Sequence, residues 1–259
     1  MAEFYSPERF TVMPERLEPP NFWVEHIPFT FYLIPLLKPA VMVELGTHSG
    51  NSFFAFCQAI KENKLSAKCY AVDTWLGDKY TGSYVEDVYK DVVKYGHENY
   101  PEIATLMRMT FDEALTHFEN GTVDLLHIDG LHTYEGVKHD FEMWLPKLSE
   151  KGVVLFHDTQ IKMKDFGVWK YWEEITRKYP SFEFYHGCGL GVLAVGKNTP
   201  PEVLQFMEEA GKNNTSRQLF EEEGLKVYAL YKKIQMKRKL RSIFSIHRII
   251  AKRLKRMFS

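Results

Sequence analysis

The 259-residue chain is poor in cysteine, in long apolar runs and in any overall excess of one charge. Its three cysteines (Cys57, Cys69 and Cys188) are an odd number at no metal-ligand spacing, which excludes a disulfide framework and a cysteine zinc site and sets the expectation of a reducing, cytoplasmic setting. No apolar run approaches the roughly 20 residues that span a bilayer. The first 22 residues hold four acidic residues and four prolines, without the basic start and apolar block of a secretory leader. The formal charge of −1 hides a division. Lys226 to Ser259 contains 12 Lys and Arg and no Asp or Glu, which leaves 21 basic against 34 acidic residues, or −13, for residues 1–225. An acidic body carries a basic tail.

What is present is enough apolar material for one sizeable core, 45% hydrophobic and 15% aromatic. "PAVMVEL" is a short β-branched run followed by the glycine turn "GTHSGNS" and the helix-like "FFAFCQAIKEN". The apolar run returns as "KCYAVD", "IATLMRM", "VDLLHID" and "GVVLFHD", with helical patterns such as "FDEALTHF" and "YEGVKHDFEMWLPKL" between. Strands alternating with helices predict a parallel sheet covered by helices on both faces. Right-handed crossovers then bring the five carboxyl ends to one edge. "FEFYHGCGLGVLAVG" has two apolar runs with no room for a crossover helix, so it reads as an antiparallel hairpin closing the sheet. "FWVEHIPFTFYLIPLLKPA" is broken by prolines at 28, 35 and 39 and predicts short helical pieces ahead of the first strand. The expected division is an N-terminal lid over 1–40, a catalytic domain over 41–197 and a helical extension over 198–259.

The first turn carries the first functional signal. A pyrophosphate-binding fold wants G-x-G-x-x-G at the helix start, whereas "VELGTHSG" is E-x-G-x-x-x-G with Gly46 and Gly50. Glu44 at the strand end disfavours a pyrophosphate and suits a ligand with an ammonium or sulfonium charge. Asp73, ending the second strand, can accept two ribose hydroxyls. Asp129 ends the fourth strand and His157 and Asp158 the fifth; two oxygen ligands and an imidazole suit a divalent ion with open positions. His132 lies three residues past Asp129, and an imidazole of ordinary pKa near 6.5 is a suitable acceptor for the proton of a hydroxyl.

"VELGTHSGNSFFAFC", "YAVDTWLGD", "LLHIDGLHTYEGVKHDF" and "GVVLFHDT", in that order, resemble class I S-adenosylmethionine-dependent methyltransferases. Within that class they look like the small sugar O-methyltransferases found with glycosyltransferase systems, relatives of the macrolide-sugar O-methyltransferases. The resemblance covers roughly residues 24–197 and implies a Rossmann-like α/β fold, a seven-stranded, mostly parallel sheet with an antiparallel last hairpin. It implies S-adenosylmethionine as cofactor, flanked by Glu44, Gly46 and Gly50 with Thr47 and Ser52 in the same turn, and by Asp73 at the ribose. Thr110 or Phe111 would border the adenine, Asp129 would stand at the cofactor's edge, and Trp75 and Asp78 would be loop neighbours. It also implies a magnesium or manganese ion on Asp129, His157 and Asp158, with His157 standing where relatives carry an acid. His132 becomes the catalytic proton acceptor, and the acceptor substrate a sugar or glycan hydroxyl. His127 is expected in the core, His139 and Asp140 solvated or capping, His48 beside the site, and His26 on its lid side.

Two other classes compete: a nicotinamide-dependent oxidoreductase on a similar sheet, and a non-catalytic cofactor-binding scaffold that docks a glycosyltransferase. The tail adds its own alternatives. On a 100° wheel Ile243, Phe244, Ile246, Ile249, Ile250, Leu254, Met257 and Phe258 cluster on one side, and Arg241, Arg248, Lys252, Lys255 and Arg256 occupy the other. An anionic membrane surface at the inner face, packing on the body or in a homo-oligomer, and nonspecific nucleic-acid binding all fit such a helix. The absence of a recognisable nucleic-acid module argues against specific nucleic-acid binding.

Overall fold

The computed structural model of the chain describes residues 13–78, 82–83 and 86–257, with side chains for all of these except 78, 82–83 and 245–257. The expected sheet is present. Its strands are β1 (Val41–Leu45), β2 (Lys68–Asp73), β5 (Ala104–Arg108), β6 (Val123–Ile128), β7 (Leu148–His157), β8 (Ser181–Phe184) and β9 (Leu190–Ala194), in the order β5-β2-β1-β6-β7-β9-β8. The first five run parallel. β9 pairs antiparallel with both β7 and β8, so the glycine-containing segment between β8 and β9 is the predicted hairpin. A two-stranded ribbon, β3 (Gly77–Asp78) with β4 (Gly82–Ser83), follows β2.

Side chains alternate across the strands, and each face of the sheet builds its own core. Met42, Leu125, Val153 and Leu155 face a layer that includes α1 (Ile27–Leu37), α2 (Asn51–Glu62), α7 (Pro201–Lys212) and the first half of α8 (Thr215–Met257). Val43, Leu126, Val154 and Phe156 face the other layer, which includes α4 (Phe111–Ala114), α5 (Tyr134–Trp144) and α6 (Val168–Ile175). α3 (Glu86–Asn99) lies toward the β5 edge. Such two-sided burial explains why the parallel strands read as nearly continuous apolar runs. Upstream, the short helical pieces are a 3-10 turn, Val24–His26, leading into α1, which accommodates Pro28 in its first turn and Pro35 inside.

The same alternation fixes the polar residues that matter below. Glu44 and His127 are register partners on β1 and β6, two residues beyond the core residues Met42 and Leu125, and therefore share the α1/α2 face. The strand carboxyl ends open into the loops that surround the main cavity.

Candidate active site

The turn after β1 is held shut from three sides. Gly46 adopts a φ of +89°, and a Cβ there would lie 2.1 Å from the Asp129 carbonyl oxygen, so only glycine lets the two strand ends meet. The Asp73 carboxylate accepts hydrogen bonds from the Thr47 and His48 amides at 3.0 and 2.9 Å and from the Trp75 amide at 2.7 Å. Trp75, buried, donates its indole N–H to the His48 carbonyl at 2.9 Å. Asp73 thus organises the turn with backbone amides while still lining the cavity. From outside, buried Arg16 donates to the Ser49 carbonyl at 2.7 Å, paired with Asp91 and stacked between Phe54 and Tyr95.

Residues 13–23 form a strap across the start of α2. Asn51 accepts from the Glu18 amide and donates to the carbonyls of Glu18 and Pro20, and Gln58 bonds the backbone of Met13 and Glu15. The strap delivers Pro20, Phe22 and Trp23 to the cavity wall. Sequence reasoning did not assign these residues; the proline-rich composition of the stretch was the one available signal.

The cavity measures about 810 Å³, within the usual range for small-molecule and cofactor sites. Among the expected cofactor residues Gly46, Thr47, Ser52, Asp73, Thr110 and Asp129 line it, as do His48 and Phe111. Buried Thr47 Oγ1 has no hydrogen-bond partner among the described residues. The Thr110 hydroxyl is committed to the capping box of α4 with Glu113, so this residue offers the cavity its backbone and methyl. Gly50 does not line the cavity. Its role is internal: a Cβ there would strike the Phe54 ring at 2.7 Å. The Asp78 side chain lies outside the described residues.

Glu44 differs most from expectation. It is fully buried beneath the turn and is not among the lining residues. Its Oε2 lies 2.8 Å from His127 Nδ1, and Trp23 donates its indole N–H to His127 Nε2 at 3.0 Å. Because the indole can only donate, His127 Nε2 must accept and Nδ1–H must point to Glu44. Burial raises the Glu44 carboxyl, and His127 and Ser52 draw it back, without a hydrogen bond reaching Oε1. His127 is core-facing as expected, yet it is also the link between the strap and β1.

The ends of β6 and β7 contribute the charged cluster. His132 Nε2 lies 2.8 Å from Asp158 Oδ2 and 3.6 Å from Asp129 Oδ1, and its ring stacks on Phe166 at 4.9 Å. His157 Nδ1 lies 3.1 Å from Asp129 Oδ1 and 3.4 Å from Asp158, while its Nε2 faces the Gly187 carbonyl at 3.2 Å. Burial works against charge on both rings, but the paired carboxylates prevail and push His132 up to about 10 and His157 to about 9. Burial would raise Asp129 too; His157 and His132 outweigh it and hold that carboxyl well below the usual range. The two rings and the two carboxylates thus form one closely paired cluster. Asp158 sits at φ +62° and Cys188 at φ +72°, and the Cys188 thiol, pushed up to about 12 by burial and by Asp158, is no thiolate nucleophile.

Asp129, His132 and Asp158 present one ligand atom each within 4.8 Å of one another, the one group among the described residues arranged to hold a metal ion. The carboxylates of Asp129 and Asp158 suit a divalent cation, whose charge would relieve the pair of its need for the His132 proton. His157, expected as a ligand, stands outside this group because both ring nitrogens are engaged. His26, expected on the lid side, is not among the lining residues; its Nε2 lies 2.8 Å from the Gly187 carbonyl, and burial, with His186 and His157 nearby, drives its pKa well below the usual imidazole value. His139 meets Asp112 in the open, whereas Asp140 is buried rather than solvated. The far wall, Ile161, Met163 and Phe166, comes from the loop after β7, tied to the His132 loop by the Gly167 amide donating to the His132 carbonyl at 2.7 Å.

Comparison with known proteins agrees with the fold. The chain is 47% identical over 184 residues to the uncharacterized protein y4gI of Sinorhizobium fredii, which covers 71% of this chain and 20% of that protein. The chain thus spans about a fifth of the length of the curated relative it matches. Three solved structures share the fold at low identity. A protein of Staphylococcus aureus, described provisionally as a caffeoyl-CoA O-methyltransferase, has a TM-score of 0.53 at 14% identity, over 74% of this chain and 88% of that one. A methyltransferase of Geobacter sulfurreducens gives 0.51 at 14%, over 66% and 78%. The Podospora anserina methyltransferase PaMTH1, solved with S-adenosylhomocysteine, gives 0.50 at 13%, over 65% and 77%. The chain has the Rossmann-like methyltransferase fold, and its residues 43–159, from β1 to just past β7, match the family model described as a methyltransferase domain.

Proposed function

We propose that the protein is an S-adenosylmethionine-dependent O-methyltransferase acting on a sugar hydroxyl of a glycan or glycosylated metabolite. One observation carries the reading: the glycine turn of β1 and the Asp129–His132–Asp158 cluster open into the same cavity, joined where Gly46 meets the Asp129 carbonyl. The cofactor, when bound, supplies an electrophilic methyl group. The turn offers backbone approach at Gly46, the Thr47 hydroxyl, and the carboxylate of Asp73 with lone-pair capacity beyond its three amide bonds. Asp129 and Asp158 would hold a divalent ion, whose chemistry is to lower the pKa of a nearby hydroxyl.

His132 is the proton acceptor. With a pKa of about 10 it holds its proton at neutral pH, so it can act as a base only when the charge of the two carboxylates is otherwise neutralised. Phe166 fixes the plane of its ring, and a base held in one orientation loses little entropy on engaging the hydroxyl. The sugar assignment is supported by the four ordered motifs and by a carboxylate pair suited to vicinal hydroxyls; the relative's greater length is consistent with a domain that works beside others.

Calorimetry with S-adenosylmethionine and with NAD, followed by methyl transfer to candidate glycans by the parent and by His132→Ala, tests the proposal. S-adenosylmethionine should bind and NAD should not, and His132→Ala should keep cofactor binding while losing turnover by about 100-fold or more. Binding of NAD alone, or turnover by the variant within a few-fold of the parent, would overturn the cofactor and the base respectively.

A further inference from the structure

α8 belongs to the body for only half its length. Phe220 packs in the aromatic core against Phe29 and Phe184, and Gly224 crosses the Glu25 carbonyl so closely that a Cβ would lie 2.3 Å from it. Gln235 donates to the Leu17 carbonyl at 2.9 Å and Arg238 pairs with Glu18. Beyond this point the helix is exposed among the described residues. Every residue from Met236 to Phe244 is exposed, including Met236 at 66%, Leu240 at 49% and Phe244 at 72%. Spaced at four residues, these three share one side of the helix, while Arg238 falls on the opposite side and Arg241 on the flank between them. The helix continues to Met257, so the 22 residues from Met236 extend about 33 Å at 1.5 Å per residue.

We propose that this second half of α8 docks the protein on an anionic lipid surface. The occupant follows from charge and polarity together. Residues 226–259 hold 12 cations and no anion, so a second copy of the same helix would bring like charge against like with no anion to pair. The apolar side needs a low-dielectric partner, which a nucleic-acid backbone does not offer. Its own body leaves Met236, Leu240 and Phe244 uncovered. An anionic bilayer satisfies both sides at once, with acyl chains under the apolar stripe and headgroups around the cations. No described helix is long and apolar enough to cross a membrane, so the helix would lie in the interface rather than span it. Because Gln235 and Arg238 grip the strap that carries Phe22 and Trp23 to the cavity, the docked helix is joined directly to the rim of the site.

The test is co-sedimentation of the full chain with phosphatidylcholine vesicles with and without phosphatidylglycerol. Partners in the comparison are a Leu240→Asp/Phe244→Asp variant and a Lys237→Glu/Arg241→Glu variant, their helicity checked by circular dichroism. The full chain should pellet with the anionic vesicles alone, less so as salt rises, and each variant should bind about tenfold more weakly or worse. Equal pelleting of parent and variants, or equal binding to both vesicle types, would overturn the proposal. So would a parent that ignores vesicles but sediments as a dimer that both variants dissolve, which would assign the helix to self-association.

Discussion

Gly46 and Asp129 are in contact through backbone alone: the position of a Cβ on residue 46 is 2.1 Å from the Asp129 carbonyl oxygen, with residue 46 held at φ +89°. The clash falls on backbone, which cannot swing aside as a side chain could, and the dihedral is itself strained for any L side chain. Gly46→Ala should cost at least about 2 kcal/mol in urea unfolding. It should also weaken S-adenosylhomocysteine binding by calorimetry, because separating the two loops opens the cavity wall. A fully stable variant with parental affinity would show that the loops are not packed as described.

The Trp23–His127–Glu44 chain makes a different prediction. In Trp23→Phe the ring remains but the indole N–H is lost, so buried His127 Nε2 keeps its lone pair without a donor. An unsatisfied buried acceptor costs about 1–3 kcal/mol. The loss should appear in unfolding experiments with or without ligand, since Glu44 lies outside the cavity. Because Trp23 also forms part of the cavity wall, unfolding is the deciding measurement, and a variant as stable as the parent would show that His127 Nε2 does not depend on the indole N–H.

Glu44 lies outside the cavity while Asp129, His132 and Asp158 line it, and the difference has a physical explanation. The last three follow the ends of apolar strands, and a parallel sheet sends all such ends to one edge whatever the details of packing. Glu44 sits one residue before a strand end, where period-two alternation, rather than proximity to the edge, decides which way a side chain points. That alternation was readable in "VMVEL", but its pairing with His127 required the β1–β6 register. The grouping of the charged residues differs from the expected one for a similar reason: His157 belongs to the strand and its Nε2 faces Gly187, while His132, in the loop, lies beside both carboxylates. The strap was least legible. Its bonds join Arg16 to Ser49 and Asn51 to Glu18 and Pro20 across more than 30 residues, and no local pattern encodes them.

Asp140 predicts a pH dependence of stability. Its carboxyl on α5 is buried, with Oδ2 unpartnered, and burial pushes its pKa up to about 7; His139 on the same helix opposes the shift, and Asp112 on the facing segment adds to it. The folded value lies above the unfolded one, so the folded state binds the extra proton between about pH 4 and 7 and this group's contribution to stability declines across that window. Asp140→Asn should flatten the decline and, above pH 7, be more stable than the parent by up to about 4 kcal/mol, the upper bound set by three pKa units. Urea midpoints measured at pH 5 and pH 8 check it; parallel profiles for the two proteins would mean that Asp140 is solvated.

A matched pair of helix glycines separates propensity from packing. Gly211, at the end of α7, has nothing within 4 Å of a would-be Cβ, whereas Gly224 in α8 would place that atom 2.3 Å from the Glu25 carbonyl oxygen. Helix propensity alone favours alanine at both positions by about 0.5–1 kcal/mol. At position 211 nothing opposes that gain, and Gly211→Ala should raise the melting temperature slightly. At position 224 the carbonyl belongs to the 3-10 turn that seats α8 on the body, so alanine must push the helix away from Val24–His26 and loosen the neighbouring grip of Gln235 and Arg238 on the strap. Gly224→Ala should therefore lower stability, by about 1–3 kcal/mol net of the propensity gain. Opposite signs for one substitution in two adjacent helices would establish that close backbone approach, and not helix formation, is what glycine provides in α8; a stabilised Gly224→Ala would show that the helix is not seated there.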